Sequence, residues 1–543
     1  MEVGLDNSSA NRTAKYVAYL LLALVLAVVV YVRIRLLPVP LERDEGEFAY
    51  IGQLLIKGIS PFAHSYTMKL PGVSMVYAVS MFLFGQTPTG VHLGLLFVNL
   101  ATVFLVWLLA RRLYGQNAAL AAGASYALLS LSYSVLGFIS HATHFVVFFS
   151  LAGFLLLLRY LDSGRTVHLA ASGVMFGLAL MMKQHAALLF VSALVYLLYR
   201  SWKGTSTGRH WLPGQLAILL SGAALPYAVI VFIALGSGEF DNFWFWTVQY
   251  AFEYAVGPTL SQGMEDLLAN FSAVVNAQPL LWLFAFSGIL LLCTRHGRRV
   301  DRFFILSLLL FSFLALCPGL VFRPHYFILL LPVAALLIGA LINSAELALA
   351  SSQPGSQLEL IPLLLLALAV FSGLYQERQQ FFSLTPEQVS RANYGSNPFP
   401  EAVQIAGYLK EHTTPEDRIA VLGSEPEIFF YADRVSATGF IYMYGLMENQ
   451  PYAERMQKQM VQEIQVARPT YVVFTNVRTS WLVRPTSSRT LMAWASEYLK
   501  EKYQLVGIID IIDATTTNYR WEEACLDYTP LSQSFITVFK LKT

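Results

Sequence analysis

Apolar runs of about 20 residues, each long enough to cross the hydrocarbon core of a bilayer, recur along the first two-thirds of this chain. They lie at roughly 16–37, 89–110, 117–135, 143–160, 167–182, 186–200, 211–235, 279–294, 303–318, 325–344 and 360–375. With 56% apolar residues over 543 positions, the chain reads as a polytopic α-helical membrane protein. The first run is too long for a signal-peptide core and lacks a small-x-small cleavage site, so it reads as an uncleaved first span. A net charge of +2 gives no reason to expect nucleic acid as a partner. Cys293, Cys317 and Cys525 form neither a disulfide framework nor a CxxC metal site.

Basic residues set the orientation. Arg111/Arg112, Arg159/Arg165, Arg200/Lys203/Arg209 and Arg295/Arg298/Arg299/Arg302 fall in alternate gaps, which the positive-inside rule makes cytoplasmic. Counting back, the N-terminus is inside and the segment after the first span is outside. Val73–Phe84 is apolar but short for a span, and crossing would put Arg111/Arg112 outside. It is expected to lie in the outer interface, within an outer-face loop of residues 38–88. The loop of about 236–278 is also expected outside; it contains no lysine or arginine.

After residue 375 the composition turns polar. Helix-like 401–411, 452–467 and 490–502 alternate with strand-like 418–422, 470–475 and 505–512. That alternation predicts a small α/β domain over 376–543, placed outside by the span count.

Several polar clusters fall on this outer side. Arg43-Asp44-Glu45-Gly46-Glu47 follows the first span. Each of its carboxylates would cost roughly 2.5–3.5 kcal/mol at the bilayer centre, so the run belongs at the surface. On a helix Asp44 and Glu47 share a face, and two readings stand: Asp44 as N-cap with Glu47 at N3, or a catalytic carboxylate. The neighbouring carboxylates should raise the proton affinity of Asp44. In Met68-Lys69-Leu70-Pro71, the proline fixes Leu70 as extended and so aims Lys69, which suits a phosphate or a lysine snorkelling at the interface. His141 and His144 could face one metal or one anion, or simply anchor a span end. Lys183, between two apolar segments, needs a partner or a polar cavity. Arg323-Pro324-His325-Tyr326 offers several donors to an anion, or an interfacial belt.

In this order the residues resemble the membrane-embedded GT-C glycosyltransferases, particularly the protein mannosyltransferase and aminoarabinose-transferase branch (glycosyltransferase family 39-like). The resemblance rests on the Asp44-Glu45 pair, Lys69–Gly72, the short apolar helix and the span ending Ala110-Arg-Arg-Leu-Tyr-Gly115. Gly177–Lys183 and Pro324–Tyr326 followed by Leu331-Pro332 add to it. It implies a GT-C-like catalytic domain of about 11 or more spans over 1–375, its active site on loop 38–88, and a soluble extracytoplasmic α/β domain over 376–543.

The implied activity is inverting transfer of a sugar from a polyprenyl-phosphate carrier to a hydroxyl acceptor at the outer face of a bacterial plasma membrane. The acceptor would be a protein, lipid A or another glycolipid, or a cell-wall glycan; membrane lipids surround the protein. Asp44 would be the catalytic carboxylate, with Glu45 and Glu47 beside it, and Lys69, Lys183, Arg323, His325 and Tyr326 would bind substrate phosphate. Related sequences often carry an acidic residue near the position of His144, so a carboxylate-based metal site does not carry over. A divalent metal is left open, with His141 and His144 as its candidates. The alternatives are a transporter or lipid-sugar flippase, and a membrane-anchored binding protein. Against transport, the charges sit mainly at span ends and no paired halves are visible.

Overall fold

The computed structural model describes residues 9–204, 211–254, 259–292, 302–352 and 357–542; Arg209, Cys293, Arg295, Arg298 and Arg299 lie outside them. Among the described residues, five helices are long and apolar enough to cross a membrane. They are Lys15–Arg35, Pro88–Tyr114, Ala142–Ser163, Leu212–Gly236 and the segment Pro324–Ser352. A sixth is reached if Leu260–Ala277 and Pro279–Leu292, bent by 107° at their junction, count as one. Gln116–Leu129, Thr166–Met182, Ala186–Trp202, Arg302–Leu314 and Ile361–Gln376 are shorter helices at further expected positions. The expected outer loop 236–278 is corrected: much of it is helical, and Leu260–Ala277 starts at a capping box between Thr259 and Gln262.

Two compact units divide the chain. One is helical and comprises Met1–Leu36, Leu95–Val231 and Gly257–Ser383; the other comprises Leu37–Gly94, Phe232–Val256 and Leu384–Thr543. The polar tail therefore folds together with two segments drawn from between the spans.

In the helical unit, small residues let helices approach closely. A Cβ on Gly173 would lie 2.3 Å from the Leu219 carbonyl oxygen, and one on Gly222 would lie 2.5 Å from that of Ala170. Such backbone proximity is how apolar helices gain dispersion contact where no hydrophobic effect drives them together.

The mixed unit is built on a six-stranded sheet: β1 (Arg418–Leu422), β2 (Val435–Ser436), β3 (Tyr471–Asn476), β4 (Tyr503–Ile511), β5 (Thr517–Trp521) and β6 (Phe535–Leu541). Its order is β2-β1-β3-β6-β4-β5. β1 pairs in parallel with β2 and β3, while β6 runs antiparallel to both β3 and β4, and β5 antiparallel to β4. Helix Ala453–Ala467 buries Met456, Met460 and Ile464, spaced for one face, with Leu491 and Leu499 of helix Thr490–Lys502 and with Ala420, Leu422 and Val472. Trp246 and Tyr250 join this core, and Tyr66 and Met68 pack on it. That burial is why 232–256 and the segment after Leu37 belong with the tail. The expected interfacial helix is Gly72–Phe84: it buries Tyr77 and Met81 and exposes Met75, Val79, Phe82 and Leu83.

Candidate active site

The acidic run opens helix Arg43–Ile56, but its cap is not Asp44. Glu42 is the N-cap: its side chain accepts from the Glu45 amide at 3.0 Å, and the Glu45 side chain accepts in return from the Glu42 amide at 3.3 Å. The sequence holds two overlapping carboxylate pairs at that spacing, and tertiary contacts select the earlier one. Leu41 N–H donates to the Tyr431 hydroxyl at 2.8 Å, which fixes the chain just before the cap. The choice leaves Asp44 and Glu47 available for other work.

Arg43 locks the helix start to the tail. Its guanidinium donates to the Ser424 carbonyl, the Tyr444 hydroxyl at 2.7 Å, Asn397 Oδ1 at 3.1 Å and Glu425 Oε1 at 3.1 Å. Arg43 and Glu425 are both buried, so each is the other's compensation for lost hydration. Gly46 allows the closest approach: a Cβ there would lie 2.6 Å from the backbone nitrogen of Glu427. Tyr50 continues the seam, its hydroxyl accepting from Ser436 N–H at 2.9 Å.

Lys69 comes back to the helix start. Its ammonium donates to Asp44 Oδ1 at 2.7 Å and to Glu47 Oε2 at 2.6 Å, as the shared face of those two carboxylates requires. It also sits 4.6 Å from the Phe48 ring centre and 5.3 Å from that of Tyr442. Thr67 Oγ1 donates to Glu47 and accepts from Lys69 N–H at 3.2 Å, which pins the loop that carries the lysine. Burial alone lowers the ammonium's pKa, but Asp44 and Glu47 outweigh it and hold Lys69 charged, above the usual lysine range. Tyr442 reaches Asp44 Oδ1 at 3.5 Å; burial and then the Asp44 charge push its phenol well up, so it stays a donor. Burial, with repulsion from Asp44 and Glu45, pushes the Glu42 carboxyl well above the usual carboxylate range.

Accessibility separates the three carboxylates of the run. Glu45 is fully buried and its Oε1 lies 3.0 Å from His92 Nε2. The Leu37 carbonyl accepts from His92 Nδ1 at 2.8 Å, which turns the other ring nitrogen toward Glu45. Glu47 is 2% exposed, while the side chains of Asp44 and Lys69 are each 27% exposed. Of the run, Asp44 is the carboxylate that outside molecules reach. His92, Thr67 and Tyr442 were not singled out from sequence. A histidine inside an apolar run was the one local signal, while Tyr442 lies some 400 positions from its partner.

The helical unit gathers the other predicted residues. His141, the N-cap of helix Ala142–Ser163, stacks on His325 with ring centres 3.9 Å apart. Lys183 Nζ sits 3.9 Å over the Tyr326 ring, and His185 packs on the same ring at 4.7 Å. Arg323 is exposed and caps the turn Pro324–Leu330. His144 is buried one turn into its helix, so the imidazole beside His141 is that of His325. Within the helical unit, His141 and His325 each offer one ligand atom.

Residues 68–231 match the family described as Dolichyl-phosphate-mannose-protein mannosyltransferase. Comparison with the curated proteins finds no match. Solved structures share the fold over nearly the whole chain. ArnT from Cupriavidus metallidurans, bound to undecaprenyl phosphate, superposes with a TM-score of 0.59 at 16% identity, covering 96% of this chain and 97% of that one. The archaeal oligosaccharyltransferase AglB from Archaeoglobus fulgidus, in complex with an inhibitory peptide and a dolichol-phosphate, gives 0.53 at 15% identity, covering 95% and 75%. At such identities the likeness is one of fold. The chain is an integral membrane protein with the fold of the GT-C glycosyltransferases, as the sequence resemblance implies.

Proposed function

We propose that this chain is an inverting glycosyltransferase that moves a sugar from a polyprenyl-phosphate carrier to a hydroxyl acceptor at the outer face of a bacterial plasma membrane. The observation that carries the reading is Asp44, the accessible carboxylate of its run, held beside the Lys69 ammonium at the start of a helix anchored by Arg43. In this reading Asp44 takes the proton of the acceptor hydroxyl as that oxygen bonds to the sugar's anomeric carbon. The bond from that carbon to the carrier phosphate oxygen breaks, and polyprenyl phosphate leaves with the electron pair. Lys69 supplies the countercharge to the phosphate. As the lysine turns toward the leaving group, Asp44 loses its partner and becomes the stronger base. Glu47 and Glu45 act as positioning residues, one holding Lys69 and the other capping the helix. In the helical unit, Lys183, Arg323, His325 and Tyr326 are proposed to hold carrier phosphate. The names of the structural neighbours, both bound to polyprenyl-type phosphates, support the donor class.

The test supplies the full-length protein in liposomes with polyprenyl-phosphate-linked sugars labelled at the anomeric carbon, together with membrane extract as acceptor. Label should move to a product whose anomeric configuration is opposite to the donor's. Retained configuration, or movement of label across the bilayer with the donor bond intact, would overturn the reading.

A further inference from the structure

We propose that a cleft in the mixed unit, where segment 241–249 meets helix Ala453–Ala467, is a saccharide subsite that holds the glycan part of the acceptor. Its volume is about 360 Å³, within the range of small-molecule sites.

The cleft's chemistry suits a pyranose, which presents an apolar C–H face ringed by hydroxyls. Trp244 lines it, is 40% exposed, and is backed by the stacked ring of Phe240 at 6.0 Å. The cleft is also lined by Asp241, Asn242, Gln249 and Arg455, whose side chains carry both hydrogen-bond donors and acceptors. The floor is organised before any ligand arrives. Tyr66 stacks on Trp246 at 5.0 Å and 11°, and its hydroxyl donates to Glu463 at 3.0 Å. Gln459 spends both amide hydrogens on Glu463 and the Tyr66 hydroxyl, leaving its carbonyl oxygen to accept from a ligand.

Charge separates this cleft from a phosphate site, since Asp241 and Arg455 balance one another. An open groove along the same helix, lined by Glu454, Lys458 and Gln462, shares Arg455 and Gln459 with the cleft. The continuity fits several sugar units rather than one. The acceptor role rests on the transferase reading above; the saccharide subsite as such does not.

The experiment measures binding of mannotriose, maltotriose and chitotriose to the full-length protein in nanodiscs, by saturation-transfer difference NMR and tryptophan fluorescence. Wild type should bind at least one saturably, and Trp244→Ala and Asn242→Ala should each weaken it tenfold or more. A melting temperature for each variant separates lost binding from lost folding. No binding by wild type, or unchanged binding by a folded Trp244→Ala protein, would overturn the subsite. Wild type that binds a trisaccharide but transfers no carrier-linked sugar would instead sink the transferase reading and leave the subsite standing.

Discussion

Asp44 and Glu47 each present an oxygen to one ammonium, and that three-centre arrangement makes a residue-level prediction. Lys69→Met keeps most of the length of the side chain but removes the countercharge, leaving two neighbouring carboxylates to repel each other and the departing phosphate. We expect kcat to fall by about 10²-fold or more, on the scale of losing one electrostatic stabiliser of a developing charge. The pH profile should move as well. A carboxylate without an adjacent cation holds its proton to higher pH, so the acid limb of kcat/KM should shift upward. Steady-state kinetics between pH 5 and 9 check both; an unshifted limb with unchanged kcat would mean that Lys69 serves structure alone. At this scale the sequence left open which carboxylates pair with which. Glu42/Glu45 and Asp44/Glu47 have identical spacing, and only Leu41 on Tyr431 and Arg43 on Glu425 decide which pair caps the helix.

Helix Arg43–Ile56 and its seam against helix Glu427–Ala432 govern the next scale. Gly46→Ala adds one methyl group whose nearest neighbour is backbone, which cannot swing aside. The two helices must part, so the thermal midpoint should fall by several degrees and transfer should weaken with it; a midpoint within one degree of wild type would show that the seam yields freely. Elements were legible where their period was strong. β1 and helix Thr490–Lys502 stand at their predicted bounds, and helices stand at each expected span position. Leu260–Ala277 was missed because its polar residues and flanking Gly and Pro read as loop. β5 and β6 went unnamed although Phe535–Leu541 is rich in β-branched and aromatic residues; their pairing with β3 and β4 shows only in the fold.

At the scale of the whole molecule, the sequence suggested a span bundle carrying a separate tail. The compact units are drawn otherwise: Leu37–Gly94 and Phe232–Val256 fold with the tail, through buried Arg43, Trp246 and Tyr250. Composition cannot reveal this, because hydropathy records where a segment prefers to lie and says little about which distant segment it packs on. The consequence is functional, since the tail positions the proposed base through Arg43 and Tyr442. The most direct measurement compares wild type and Asp44→Asn, reconstituted at equal amounts, for release of polyprenyl phosphate from a labelled polyprenyl-phosphate sugar in the presence of acceptor. Asparagine keeps the size and the contact with Lys69 but cannot take a proton. Release should fall about 10²–10⁴-fold with the melting temperature preserved; release at the wild-type rate would contradict Asp44 as the base.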